Sequence, residues 1–225
     1  MNIKTHLMIW TLAAAVVLLA SPPADATFHL MQIEQVIGGV DGDTSAQAIQ
    51  LRLRFNGQGG VSQARLVVHD AAGQNPVVVI DFVSDVTPEV QGGTILIASP
   101  GFAALTTPTA VPDFTMTNVI PESYLAAGSL TYETKNGVVL WRLSWGGAAY
   151  TGSNRGYPFG IFANDDNGNF GPPYPGPLPS TGTEALQFQG AAKDHSTTNA
   201  HNYSLTSGPA TFTNVQGQSF TIITP

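Results

Sequence analysis

Few side chains in this chain are able to do chemistry, and their spacing limits what that chemistry would be. There is no cysteine, which removes thiolate nucleophiles, sulfur metal ligands and disulfides. Beyond the first segment the histidines are His29, His69, His195 and His201. Nucleophilic catalysis needs Ser, His and a carboxylate converging beside an oxyanion hole. The nearest sequence pairings are His69-Asp70, at the expected end of a strand, and Asp194-His195 with His201, in a polar stretch. No Gly-x-Ser-x-Gly elbow occurs, and Gly152-Ser153-Asn154 lacks the flanking glycine pattern. Both pairings read as loop placements, and His195 with His201 lacks an evident third ligand for zinc. Glycoside hydrolysis needs two carboxylates held at a set separation. Glu34, Glu122, Glu133 and Glu184 supply the groups, but no spacing unites two of them.

Oxygen ligands for calcium are densest at Asp41-Gly42-Asp43 and around Asp165, Asp166 and Asn167. A helix-loop-helix calcium template fails on the second cluster. With Gly168 at the obligate glycine, Ala163 takes the first ligand position and Tyr174 the closing one. Asp41, Asp43, Asp165, Asp166 and Asn167 stay as weak Ca²⁺ candidates, against the plainer reading that Asp and Asn cap tight turns. Trp141, Trp145 and Tyr157, in an aromatic-rich stretch, are weak ligand-stacking candidates, and core packing is favoured for them. Asn202-Tyr203-Ser204 fits a glycosylation acceptor.

The elements that must position these groups are strands. Glycine and proline are abundant, and short β-branched runs recur between turn signals, a pattern that predicts an antiparallel sandwich or barrel. Strands are expected at Phe28 to Ile37, Ala48 to Phe55, Ala64 to His69, Pro76 to Val83 and Thr94 to Ala98, with weaker propensity over Val111 to Ile120. In the second, Ile49, Leu51, Leu53 and Phe55 face one side and Gln50, Arg52 and Arg54 the other, as in a half-buried strand. Asn136-Gly137 between alternating runs predicts a hairpin of Ser129 to Thr134 with Val138 to Ser144. Residues 147–183 form a Gly/Pro-rich segment with a polyproline-like run from Gly171 to Pro179. Residues 191–225 read as a polar extension carrying a final pair of short strands.

The first 26 residues read as a cleavable signal peptide. Lys4 gives a weakly positive start, Leu7 to Ala20 an apolar run, and Ala24-Asp25-Ala26 small residues flanking a cut after Ala26. The run is shorter than the roughly 20 residues needed to span a bilayer. A secreted or periplasmic location follows as an expectation, without membrane insertion after cleavage. The net charge of −7 repels phosphate backbones and excludes ordinary nucleic-acid binding.

Taken in order, the elements resemble those of a lamin-tail-like domain of the exported bacterial type, over about residues 28–146. The resemblance rests on Glu34, on Gln47-Ala48-Ile49-Gln50-Leu51 and on Leu66 to Gly73. Gly93-Thr94-Ile95-Leu96-Ile97-Ala98 and the hairpin from Gly128 to Trp145-Gly146 complete it. Gln50 stands where the family has Glu, Ala64-Arg65 where Gly and an aromatic are usual, and Ser129 where Asp is usual. The resemblance implies an immunoglobulin-like β-sandwich over residues 27–190 and a non-catalytic module that binds protein or polysaccharide, or scaffolds, at the cell envelope. A secreted polysaccharide hydrolase and a calcium-stabilised adhesion domain are the alternatives.

Overall fold

The computed structural model describes residues 27–157, 164 and 168–223; the expected leader and Asp165, Asp166 and Asn167 lie outside them. Among the described residues there are thirteen strands: β1 (Met31–Ile37), β2 (Ala48–Leu53), β3 (Ala64–His69), β4 (Val77–Asp81), β5 (Thr94–Ala98), β6 (Thr106–Thr107), β7 (Phe114–Thr115), β8 (Gly128–Thr134), β9 (Val139–Trp145), β10 (Leu186–Phe188), β11 (Tyr203–Leu205), β12 (Thr211–Thr213) and β13 (Ser219–Ile222). The described residues also form two single-turn α-helices, α1 (Glu122–Leu125) and α2 (Asn199–Asn202), and short 3-10 turns. The fold is an all-β sandwich of antiparallel sheets. Strand order is β11-β10-β1-β2-β5-β7 in the largest sheet and β4-β3-β8-β9 in its partner, with a third sheet ordered β12-β13-β6.

Side-chain alternation builds this arrangement. Ile49, Leu51, Leu53, Ile95 and Ile97 point inward from the six-stranded sheet to meet Leu66, Val68, Leu130, Tyr132, Trp141 and Leu143 of the four-stranded one. The alternate residues Ala48, Leu96 and Ala98 point the other way and pack on Phe212, Phe220 and Ile222 of the third sheet. The molecule therefore has two apolar layers, one on each face of the six-stranded sheet. Each fully buried Leu, Ile or Phe stabilises it by about 1.5–3 kcal/mol. The Asn136-Gly137 hairpin forms as expected: Gly137 takes φ 84, and its N–H donates to Thr134 O at 2.9 Å.

Three departures from the sequence reading bear on function. The second strand is buried on both sides at Gln50, which is only 5% exposed, and Arg54 just beyond its end is 4% exposed. It ends at Leu53, so Phe55 lies outside the sheet, 45% exposed, with the Arg54 guanidinium 5.9 Å from its ring. In β1 the pairing register shifts between Ile33 and Gln35. This bulge lets Ile33 and Val36 share the inner core, while Glu34 and Gln35 both serve the outer face.

Residues 147–157 and 168–176 pack along the outer face of the four-stranded sheet. There Arg142 Nη1 and the Tyr150 hydroxyl both reach Ser129 Oγ, at 3.1 and 3.0 Å, and Ser144 Oγ donates to Asn154 Oδ1 at 2.6 Å. The polyproline-like run is also fixed in place. Leu178 is buried, and Pro179 O accepts from Gly38 N at 2.7 Å.

Candidate functional site

The outer face of β1 and β2 carries a row of polar side chains, and the segment after β10 lies across it. Glu34 Oε1 pairs with Arg52 Nη1 at 2.8 Å, and Glu34 Oε2 accepts from Gln50 Nε2 at 2.8 Å. Arg52 Nε donates to Gln32 Oε1 at 2.6 Å and Arg52 Nη2 to Gly190 O at 2.7 Å. Gln32 Nε2 donates to Ala191 O and Asp194 O, at 3.0 and 2.6 Å. Arg54 Nη2 reaches Lys193 O at 2.9 Å, and its Nη1 reaches Asn164 Oδ1 at 2.6 Å. Residues 190–194 are thus held to the sheet through their main-chain carbonyls, and the arginine bonds to Gly190 and Lys193 are charge-assisted, the stronger kind.

The same face closes an edge of the third sheet. Gln50 Oε1 accepts from Thr213 N, and Gln35 Nε2 donates to Thr211 O at 3.3 Å. Two side-chain amides take the place of a neighbouring strand along β12. Burial raises the Glu34 carboxyl above its ordinary range, opposed by the Arg52 charge and the Gln50 hydrogen bond. Burial also pushes the Arg54 guanidinium down to about 10.

Beside this network lies an open cleft of about 680 Å³, with Glu34, Gln50 and Gln187 among its lining residues. The loop containing Pro88, Val90 and Gly92 lines it, as do Thr211, Thr213 and Asn214. A Gln216 Nε2 to Thr87 O bond of 3.3 Å ties the loop before Pro88 to the turn after β12. Gln187 sits opposite Gln35 in the β1–β10 ladder, and its side-chain amide has no hydrogen-bond partner among the described residues.

The residues singled out in the sequence fall elsewhere. Trp141 and Trp145 are 0% exposed, which removes them as stacking platforms and agrees with the favoured core role. Trp141 Nε1 donates to the Tyr203 hydroxyl at 2.9 Å, and its ring meets Phe188 edge-on with centroids 5.3 Å apart. Trp145 Nε1 donates to Tyr124 O at 2.9 Å. Tyr157 is 38% exposed and lines a hollow of about 210 Å³ with His29, Thr134, Val138 and Leu140.

Asp43 Oδ1 accepts from Ser45 N and Ser45 Oγ, at 2.9 and 2.6 Å, and these bonds hold its carboxyl below the ordinary range. That is a turn cap. Asp41 occupies a left-handed backbone position, φ 48, in the same turn. No group of three or more His, Asp or Glu side chains suited to a metal exists among the described residues. Asp165, Asp166 and Asn167 lie outside them.

The His-carboxylate pairings do not assemble a triad. Asp70 is engaged by Ala72 N, Gln74 N and Asn75 Nδ2, at 2.7–2.9 Å. Ser129, across the ladder from His69, is completely buried. Asp194, His195 and His201 do share a hollow of about 480 Å³ with Thr197 and Asn202. There Asp194 Oδ2 accepts from Ala191 N at 2.7 Å. Asn202 Oδ1 accepts from Thr197 N and Thr198 N at 2.7 and 2.9 Å, so the amide of the glycosylation motif caps a turn.

Among the candidate carboxylates, Glu34 and Glu133 lie on opposite outer faces of the sandwich. Glu133 pairs with Arg65 at 2.7 Å. Glu122 is exposed on α1 and Glu184 is half-buried in a loop. Sequence reasoning missed Gln187, Gln35 and Thr213, whose only signal is polar alternation, which also marks a solvated face. Compared with family models, curated proteins and solved structures, the chain has no significant match.

Proposed function

We propose that this chain is an exported, non-catalytic β-sandwich module that binds protein or polysaccharide at the cell envelope. The immunoglobulin-like, lamin-tail-like reading of its strands and a leader cut after Ala26 belong to the same proposal. One observation carries it: the candidate carboxylates buried in the sandwich, Glu34 and Glu133, lie on opposite outer faces, and each is matched to an arginine. Glu34 is matched to Arg52 and Gln50, and Glu133 to Arg65. General acid catalysis needs a carboxyl able to reach a substrate oxygen opposite a second carboxylate, and neither Glu has that partner. What is left open is a polar cleft, a binding surface without a reactive pair.

The test combines binding and turnover. Purified protein is mixed with polysaccharides and envelope fractions, sedimented, and assayed for released reducing ends. Co-sedimentation without release is the expected result. Release that disappears in Glu34→Gln would favour the hydrolase, and failure to bind any fraction would remove the binding module.

A further inference from the structure

We propose that the cleft beside Glu34 and Gln187 binds a neutral polyhydroxylated ligand, the uncharged sugar residues of a polysaccharide. This rests on the binding-module reading and gives it a site and a ligand class. Its size of about 680 Å³ falls in the range of about 300–1,000 Å³ typical of ligand sites. Its lining contains no Lys, Arg or His, so an anionic sugar or phosphate finds no counter-charge. Arg52 already neutralises Glu34 from behind at 2.8 Å, so a cation gains little there either.

Hydroxyl groups are what remain suited to the site. Each sugar hydroxyl donates one hydrogen bond and accepts others, so a vicinal pair is best met by a carboxylate next to an amide. Each Glu34 oxygen holds one protein donor and keeps acceptor capacity for a second. Gln187, half-buried and one strand away, contributes an amide with both donor and acceptor unused within the described chain. Pro88 and Val90 supply apolar surface for the C–H face of a ring. The Gln216 to Thr87 bond fixes loop against turn before a ligand arrives, which lowers the ordering cost of binding. With few bonds per sugar and no exposed ring to stack on, each contact is weak, and retention on a polymer depends on repeated engagement.

The experiment is affinity electrophoresis of the purified protein through gels containing dextran, galactomannan or mixed-linkage β-glucan, with alginate as the anionic comparison. At least one neutral polymer is expected to retard it. Gln187→Leu removes the amide at similar volume and should weaken retardation about three- to tenfold, the worth of one or two neutral hydrogen bonds. Its urea midpoint should stay unchanged, since that amide supports nothing else. As a second measurement, amide shifts of the wild-type protein on adding a hexasaccharide of the retarding polymer should map to β1, β10 and residues 211–217. No retardation by any neutral polymer, full retardation of Gln187→Leu, or shifts elsewhere would overturn the proposal. Retention by alginate alone, or by an envelope protein alone, overturns the sugar site yet leaves the binding module standing. Release of reducing ends overturns the module itself.

Discussion

Gln50→Glu is the sharpest test of the layer that joins the third sheet to the sandwich. The change is nearly isosteric and reverses one atom's role. Gln50 Oε1 accepts from Thr213 N while Nε2 donates to Glu34 at 2.8 Å. A glutamate keeps the first bond, loses the second, and sets two carboxylates at hydrogen-bond distance in a buried position. The lost bond to a charged group is worth about 1.5–3 kcal/mol. At 2.8 Å and an effective dielectric near 20, the like charges would repel by about 6 kcal/mol. The pair relieves most of that by holding one proton, and Arg52 screens part of the rest. The net expectation is a loss of about 2–4 kcal/mol at pH 7, a large share of the 5–15 kcal/mol typical of a domain.

The assay is urea unfolding followed by tryptophan fluorescence, which reads the buried Trp141 and Trp145. The deficit of Gln50→Glu should shrink as pH falls toward about 5, because the shared proton restores a donor between the two carboxyls. Glu34→Gln combined with Gln50→Glu rebuilds an amide–carboxylate pair in reverse order. It should therefore be less destabilised than the sum of its parts by at least about 1 kcal/mol. A single variant within about 0.5 kcal/mol of wild type at pH 7 would refute this account of the layer.

Phe212, fully buried against Phe102 with ring centroids 5.3 Å apart, anchors the outer apolar layer, so Phe212→Ala should cost about 3–5 kcal/mol by the same unfolding assay. Asp43 caps its turn through Ser45, and the described residues assemble no metal-ligand group around it, so Asp43→Ala should lower the melting temperature slightly, and EDTA should leave that of the wild type unmoved. A clear drop on chelation would restore the calcium reading. Burial first, then the Arg142 charge, holds the His69 imidazole below its ordinary 6.5. Folding therefore favours its neutral form, and the stability it contributes is present above pH 6.5 and lost as pH falls through the lowered value. A His69→Gln variant should show a shallower loss of melting temperature between about pH 7 and 5.

Much of the inner sandwich was legible because its signal is local. Ile49, Leu51 and Leu53 alternate cleanly, Asn136-Gly137 marks its own turn, and both Trp residues carry hairpin spacing. The outer layers were not legible, and for one physical reason. A polar residue facing solvent and a polar residue facing a covering segment look the same in sequence, and only contacts more than a hundred residues apart separate them. Gln32 meets Asp194, and Gln50 meets Thr213, across such distances. The bulge at Glu34 hid the rest, since it breaks alternation within β1 and places Glu34 and Gln35 on one face. β11 was missed because Tyr203-Ser204-Leu205 is too short to show a period, although Tyr203 is buried against the main core.

The same long-range contacts limit how this molecule meets a partner. A sheet edge left open invites strand addition, but side chains and loops occupy the edges at β12, β4 and β9. Gln35 and Gln50 close β12. Thr117 N and Asn118 N both donate to Val79 O on β4, at 2.8 and 3.2 Å. Tyr157 N and Tyr174 N donate to Val139 O and Ser144 O on β9, at 2.8 and 2.9 Å. Charge is partitioned as well. Arg52, Arg54, Arg65 and Arg142 are turned inward onto carboxylates, carbonyls and hydroxyls, while Asp41, Asp43, Asp85, Glu89 and Glu122 face outward or border the surface. An acidic exterior disfavours polyanions, and the covered edges at β12, β4 and β9 disfavour β-augmentation there. On the proposed binding reading, a recess whose own charge is internally matched escapes both restrictions, and the cleft beside Glu34 is such a recess.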